Sequence, residues 1–185
     1  MKEEFIKIFK ENIKREGSDK LLDYLIKSDF FVAPASTKFH LCVEGGLCLH
    51  SIDVYKRLKQ LVEAEKMNVS DETVAIISLL HDICKVRYYK TEKRNVKENG
   101  EWIQKDYYYV DEDFPYGHGE KSVFIISNFM RLTPEEAVAI NWHMGEFDDR
   151  VKGGSGSCSK AFNKYPLAFL LHIADLMATY IDERI

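Results

Sequence analysis

The sequence predicts an all-α bundle of seven or eight helices that carries one β-hairpin. Apolar residues recur at helical spacing over most of the 185 residues, and several of these stretches begin with a helix-capping signal. A single segment, centred on Asn99–Gly100, has the pattern of a hairpin instead. The length suits one domain, residues 1–185, and a hydrophobic content of 45% excludes a disordered chain.

Two amphipathic helices are predicted at the start of the chain, followed by a loop. Phe5 and Phe9 mark the first helix, and we expect Gly17 to end it. Apolar residues within 21–26 mark the second helix. Residues 31–46 contain a proline and end in a glycine pair, a composition that predicts a loop.

The remaining helices are predicted from their start signals. A long helix is expected from about Leu47 to Lys66. Ser70 is a typical N-cap for the next, because acidic residues follow it in the first turn. Thr133 begins another, with proline and glutamate in the positions of a capping box. After a glycine-rich loop, the last helix is expected from about Pro166 to the C-terminus.

The hairpin is predicted within residues 86–115, inserted between helices. Trp102 and the run Tyr107–Tyr109 give it exposed aromatic faces. Because both of its ends are anchored beside the candidate metal ligands described below, it can act as a lid on which a base stacks. Packing against a partner chain, which would make the protein a homo-oligomer, fits the same aromatic content.

Composition restricts the classes of partner. A net charge of −4 argues against binding to long nucleic acid, although a short nucleotide remains possible where a metal ion supplies positive charge. The four cysteines have no zinc-site spacing and predict reduced thiols. The charged opening MKEEFIKIFKENIKREG is not a signal peptide, and no apolar run of eighteen residues is present. We therefore expect a cytoplasmic protein without a membrane partner.

Histidines and aspartates on or beside predicted helices carry the chemistry. Imidazole nitrogens and carboxylate oxygens are ligands for divalent transition metals. Adjacent His81 and Asp82 would point about 100° apart on a helix, and both can still reach one ion near the edge between them. The candidate ligands are His50, His81, Asp82, His118, His143 and Asp175.

These segments resemble the HD-domain metal-dependent phosphohydrolases. The family's ordered pattern of a histidine, an HD doublet and a distant aspartate is matched by EGGLCLHS (His50), SLLHDICK (His81, Asp82) and HIADLMA (Asp175). The resemblance covers roughly residues 35–180, with the hairpin as an insertion. His118 and His143, in GHGEKS and NWHMG, are similar to the additional ligands of members that hold two metals.

The resemblance implies one or two divalent transition metals per chain, of which Fe, Mn, Co, Ni and Zn are candidates. Asp82 would bridge the two ions. The implied function is hydrolysis of a phosphate ester of a nucleotide or other phosphorylated small molecule by a metal-activated water. Two alternatives stay open: a di-iron oxygenase of the same fold, and a non-catalytic domain that senses a nucleotide.

Three further residues are candidates for contact with substrate phosphate. Lys85 follows the HD doublet, and Lys121 shares a helix face with His118. His40 lies in the loop before the first ligand and resembles a position that lines the family's substrate pocket. We expect Asp82, Lys85 and Lys121 to act in catalysis, and His40, Lys85 and Lys121 to bind substrate. An equal alternative for Lys85 is that it only stabilises the end of its helix.

Overall fold

The computed structural model describes residues 1–184, which form nine α-helices and one two-stranded antiparallel sheet. The helices are α1 (Lys2–Asn12), α2 (Ser18–Lys27), α3 (Gly46–Ala64), α4 (Asp71–Leu80), α5 (His118–Ser127), α6 (Pro134–Trp142), α7 (Asp149–Lys152), α8 (Ser157–Lys164) and α9 (Pro166–Met177). Two of these helices were not identified from the sequence, namely the single turn α7, ahead of the glycine-rich loop, and α8, directly after it.

The expected end of the first helix at Gly17 is wrong. Helix α1 ends at Asn12, and Gly17 lies directly before α2 with a positive φ of 89°. A Cβ atom at Gly17 would lie 1.8 Å from the carbonyl oxygen of Phe129. Glycine is therefore required there because the backbone approaches another segment closely, not because a helix ends.

Helix α4 lies at the centre of the bundle and packs against α1, α3 and α6. All of its residues from Val74 to Leu80 are buried. An amphipathic helix covers the core on one side only, whereas a helix buried all round is surrounded by other elements. Helix α9 packs against both α3 and α6, the two helices that flank α4.

Helices α4 and α6 run side by side in the same direction. At their N-terminal ends, the Thr73 hydroxyl donates a hydrogen bond to Glu136. At their C-terminal ends, the rings of His81 and His143 lie 4.8 Å apart, centroid to centroid. The predicted caps of both helices are confirmed, with Ser70 accepting from the Thr73 amide and a capping box at Thr133.

The predicted hairpin is present as strands β1 (Tyr89–Glu98) and β2 (Glu101–Val110). Asn99 and Gly100 form its two-residue turn and both have positive φ, as tight hairpin turns require. Most of its side chains are exposed, including Trp102, which is 71% exposed and pairs with Lys97 near the tip. The hairpin therefore projects from the helices, and only its base can border the interior.

The last helix is followed by a turn of π-helix, Ala178–Asp182, rather than by continued α-helix. The amide of Glu183 bonds to the carbonyl of Ala178, and the Glu183 side chain is buried. Among residues 1–184, no helix has the length and hydropathy needed to cross a membrane.

Candidate metal centre

The six predicted metal ligands lie together at the end of the bundle to which α4 and α6 point. Four of them, His50, His81, Asp82 and His143, are buried with at most 2% of their surface exposed. Separate elements supply them: α3, the end of α4, the start of α5, the end of α6 and α9. The fold thus concentrates imidazole and carboxylate groups at one buried point.

One group of ligand atoms surrounds Oδ2 of Asp82. His50 Nε2 lies 3.2 Å from Asp175 Oδ1, 3.2 Å from His81 Nε2 and 3.7 Å from Asp82 Oδ2. His81 Nε2 is 3.6 Å from the same oxygen of Asp82. Nitrogen and oxygen atoms that share one metal ion are separated by similar distances, so this group fits a first ion.

A second group of ligand atoms surrounds the other oxygen of Asp82. His118 Nε2 lies 2.7 Å from Asp82 Oδ1, and His143 Nε2 lies 3.5 Å from it. His143 also lies close enough to His81 and Asp82 to share an ion with them. The two oxygens of one carboxylate nevertheless have different nearest imidazoles. This is the arrangement that a bridging carboxylate between two ions requires.

The backbone at the HD doublet differs from the expected regular helix. His81 is the C-cap of α4, and Asp82 has φ −102° and ψ 16°, outside helical values. Asp82 thus lies just beyond the regular helix on which the expected separation of about 100° was based. Because the chain leaves the helix at Asp82, its carboxylate turns between the two imidazole groups.

Hydrogen bonds to the outer nitrogens of three histidines orient the rings. His81 Nδ1 lies 2.7 Å from the carbonyl oxygen of Ser78, and His143 Nδ1 lies 2.7 Å from that of Ile140. A carbonyl oxygen only accepts, so Nδ1 carries the proton in both rings. In the neutral form of these rings the Nε2 atom is the free lone-pair donor, and it points into the cluster as a ligand does.

The third of these outer partners, Glu183, was not identified from the sequence. Its Oε1 lies 2.8 Å from His50 Nδ1, and both side chains are buried. The carboxylate therefore orients the His50 ring in the way that carboxylates hold metal-bound histidines. The π-helical turn brings Glu183 to this place, and the regular 3.6-residue periodicity of α9 does not predict such a turn.

A buried nitrogen without a partner tests whether these residues fit a metal ion. His143 Nε2 is buried and makes no hydrogen bond with any of the described residues. A buried polar atom in this condition destabilises the fold unless something binds it. An ion between His143 and Asp82 would satisfy it, so the donor set fits a divalent metal.

The sulfur atom of Cys84, a soft metal ligand, lies beside the second group of ligand atoms. This Sγ atom lies 3.5 Å from Nδ1 of His118, and with Asp82 the two residues form a further group able to hold an ion. Spacing in the sequence argued against a structural zinc site made of cysteines. It did not indicate that one cysteine would lie beside a candidate histidine ligand.

The pKa values show how the cluster is neutralised by protons. Burial lowers the pKa of His50, but hydrogen bonds to Asp175 and Glu183 outweigh it and raise the pKa to about 10. Burial is likewise outweighed at His118, where Cys84 and Asp82 raise the pKa to about 10. Burial lowers the pKa of His81 to about 3. Two imidazolium charges thus occupy the places where metal cations would bind.

A cavity of about 750 Å³ opens beside the first group. His40 and Lys85, which were expected to bind substrate, both line it. The Lys85 ammonium bonds to Asp82 Oδ2 at 2.6 Å and to the carbonyl of Ala35 at 2.8 Å. His40 Nε2 is buried without a hydrogen-bond partner among the described residues, 3.9 Å from Glu183 Oε2.

Lys121 lies apart from these two residues. It borders a second cavity of about 420 Å³ on the far side of His118, and its ammonium bonds to Glu112 at 2.9 Å. The hairpin contributes Tyr89 and Val110, at its base, to the larger cavity. The expected aromatic surfaces, Trp102 and Tyr107–Tyr109, do not line it, because the hairpin extends away from the cluster.

Comparison with known proteins identifies the family. No curated protein and no solved structure matches the chain. The family model described as the HD domain matches residues 49–179, a span that contains every one of the six candidate ligands. With most of its length covered by that match, and with the histidines and aspartates of the match gathered at one buried point, the chain belongs to the HD domain family, the superfamily of metal-dependent phosphohydrolases.

Proposed function

We propose that this protein hydrolyses phosphate esters of a nucleotide or other phosphorylated small molecule, with two metal ions at the Asp82 cluster. The observation that carries the proposal is the position of Asp82, whose two oxygens have different nearest imidazoles, His81 and His50 for Oδ2 and His118 for Oδ1. The cluster also borders a cavity large enough for a small-molecule substrate.

His50, His81 and Asp175 would hold one ion, and His118 and His143 the other, with Asp82 between them. When bound, the ions lower the pKa of a water molecule and polarise a phosphoryl oxygen. The residues of the chain supply position: the outer bonds of the histidines fix the ligand atoms before substrate arrives. Burial keeps bulk water away from the reacting groups.

Lys85 and His40 would contact the substrate directly. The Lys85 ammonium lies at the border of cavity and cluster, where it can donate hydrogen bonds to a phosphate oxygen. His40 presents an unpartnered Nε2 to the same space, and burial and the neighbouring His50 lower its pKa. Neutral His40 would donate or accept one hydrogen bond. Lys121, which pairs with Glu112 in the second cavity, would act through His118 rather than by direct contact with further phosphates.

The test is a panel of phosphate esters offered to protein loaded separately with iron, manganese, cobalt, nickel or zinc. We expect release of phosphate or of a phosphorylated product with at least one metal, and loss of activity in Asp82→Ala. Glu63→Ala, which removes an exposed carboxylate from α3, is the matched control and should keep full activity. Circular dichroism should show that both variants are folded.

Two outcomes would contradict the proposal. Turnover that requires iron and consumes oxygen would identify the oxygenase alternative. Binding of nucleotides by metal-loaded protein, without turnover of any ester, would identify a sensing domain.

A further inference from the structure

The larger cavity has an unusually apolar mouth for a site that would bind phosphate. Four large hydrophobic side chains that remain exposed in the structure line this one cavity: Phe39, Val110, Phe147 and Tyr180, which range from 47% exposed for Val110 to 82% for Phe39. Exposed apolar side chains that occur singly need no explanation, whereas a cluster around a cavity indicates an apolar ligand surface.

Positive charge in the same cavity is scarce. Among the described residues that line it, Lys85 is the one lysine or arginine, and the proposed function already uses its ammonium for the phosphoryl group at the metals. Three carboxylates line it, those of Asp82, Asp175 and Glu183. The ions of the proposed centre would compensate two of these carboxylates and one phosphoryl group. Beyond that one phosphoryl group, the described lining has no further lysine or arginine to bind a second phosphate.

The second cavity does not supply the missing charge. Its three basic residues are each paired with an acidic neighbour: Lys121 with Glu112, Lys152 with Asp149, and Arg150 with both Asp148 and Glu120. Four carboxylates thus face three basic groups there. A chain of phosphates extending past His118 would meet a surface whose cations are occupied, and like charges would repel it.

From this distribution, and resting on the proposed function, we propose that the substrate carries a single phosphorus atom, esterified to a ring-bearing alcohol such as a nucleoside. The phosphoryl group would lie at the metal cluster, and the ring would pack among the aromatic side chains at the mouth. Stacking on aromatic side chains accepts any flat ring, so the cavity selects for a ring rather than for one base. Nucleoside triphosphates and inorganic pyrophosphate would be poor substrates.

The experiment compares kcat/KM of the metal-loaded protein for a nucleoside monophosphate, its triphosphate, 4-nitrophenyl phosphate and glycerol phosphate. We expect the monophosphate to exceed the triphosphate by at least about tenfold, and the two ring-bearing monoesters to exceed glycerol phosphate similarly. A triphosphate that is hydrolysed as well as the monophosphate, or better, would overturn the inference and leave the proposed phosphohydrolase intact. Absence of hydrolysis of every ester would overturn the proposed function, and the inference with it.

A charge variant makes the test specific to the cavity. Tyr180→Arg places a cation at the mouth, and it should reduce the preference for monophosphate over triphosphate severalfold. Asn68→Arg adds the same charge in the exposed loop before α4, at the opposite end of that helix from His81, and should leave the preference unchanged. An equal change in both variants would show that general charge, and not the cavity, sets the preference.

Discussion

Two buried carboxylates lie at opposite ends of the parallel helices α4 and α6, and their surroundings differ. At the N-terminal ends, Glu136 receives hydrogen bonds from Arg15, Thr73 and the Thr133 amide. At the C-terminal ends, Asp82 faces four imidazoles and Lys85. Both carboxylate oxygens of Glu136 accept hydrogen bonds. In the cluster around Asp82, by contrast, His143 Nε2 has no hydrogen-bond partner among the described residues.

The comparison distinguishes a structural cluster from a functional one. A buried charge stabilises a fold when hydrogen bonds and an opposite charge satisfy it. Glu136 meets this condition fully within the chain. The cluster at Asp82 meets it only with protons on His50 and His118, or with metal ions in their place. The same pair of helices therefore supports stability at one end and chemistry at the other.

Removing the Glu136 carboxylate should cause a large loss of stability. Glu136→Ala leaves the Arg15 guanidinium without its main partner and removes the capping box of α6. Losing charge-assisted hydrogen bonds of this kind costs about 1.5–3 kcal/mol, since Arg15 is half-buried and keeps its ion pair with Glu72. We expect the free energy of unfolding, measured with denaturant, to fall by that amount. Metal content should be unchanged under conditions in which the variant is folded.

Glu135→Ala is the matched control, since it removes the neighbouring carboxylate from the same turn. Its loss should cost less than about 1 kcal/mol, the usual size of a helix-dipole contribution. Equal destabilisation by the two variants would contradict the assigned role of the Arg15–Glu136 pair.

Removing the charge of Glu183 should weaken metal binding without removing a ligand. Glu183→Gln keeps the size of the side chain but loses the carboxylate that accepts from His50 Nδ1. Loss of such an outer partner typically lowers metal affinity about 10–100-fold. Competition with a chelator would measure the change. Affinity equal to that of the unaltered protein would show that Glu183 is a packing residue only.

The affinity for metal should rise with pH, because ions bind the unprotonated imidazole. With pKa values near 10, His50 and His118 carry protons at neutral pH in the metal-free protein, and each ion must displace one. We expect affinity to increase about tenfold per pH unit for each displaced proton between about pH 6.5 and 9. Chelator competition at three pH values measures this slope, and a flat profile would contradict it.

The same pKa shifts predict how the metal-free fold depends on pH. Both histidines have pKa values raised above the ordinary value of about 6.5, so their contribution to stability is complete below that pH. It is lost as the pH rises through about 10. The Tm of the metal-free protein should therefore be lower at about pH 10 than at about pH 7. In the double variant His50→Gln/His118→Gln, which lacks both titrating imidazoles, the Tm values at the two pH values should lie closer together.

The sequence predicted those features that depend on local patterns. The caps at Ser70 and Thr133 and the Asn99–Gly100 turn follow from residues within one turn of each other, and the structure confirms them. The candidate ligands His50 and Asp175 were identified through an ordered resemblance to a family, and the fold brings them within 3.2 Å.

Features that depend on distant contacts were not predictable in this way. Arg15 and Glu136 are separated by 121 residues in the sequence, and no local sequence pattern predicts their contact. Glu183 arrives at His50 through a π-helical turn that changes the residue spacing. The departure of Asp82 from helical geometry and the role of Gly17 likewise reflect packing against neighbouring segments. The outward direction of the hairpin, away from the cavity, belongs to the same class.

Metal content per chain tests the central claim, that the two oxygens of Asp82 serve two ions. Protein loaded with excess metal and freed of unbound ions by gel filtration should contain about two ions per chain by elemental analysis. His118→Ala should retain about one, because it alters the second group only, and Asp82→Ala should retain close to none while remaining helical. Full occupancy in Asp82→Ala, or one ion in the unaltered protein with no change in His118→Ala, would contradict the two-ion centre.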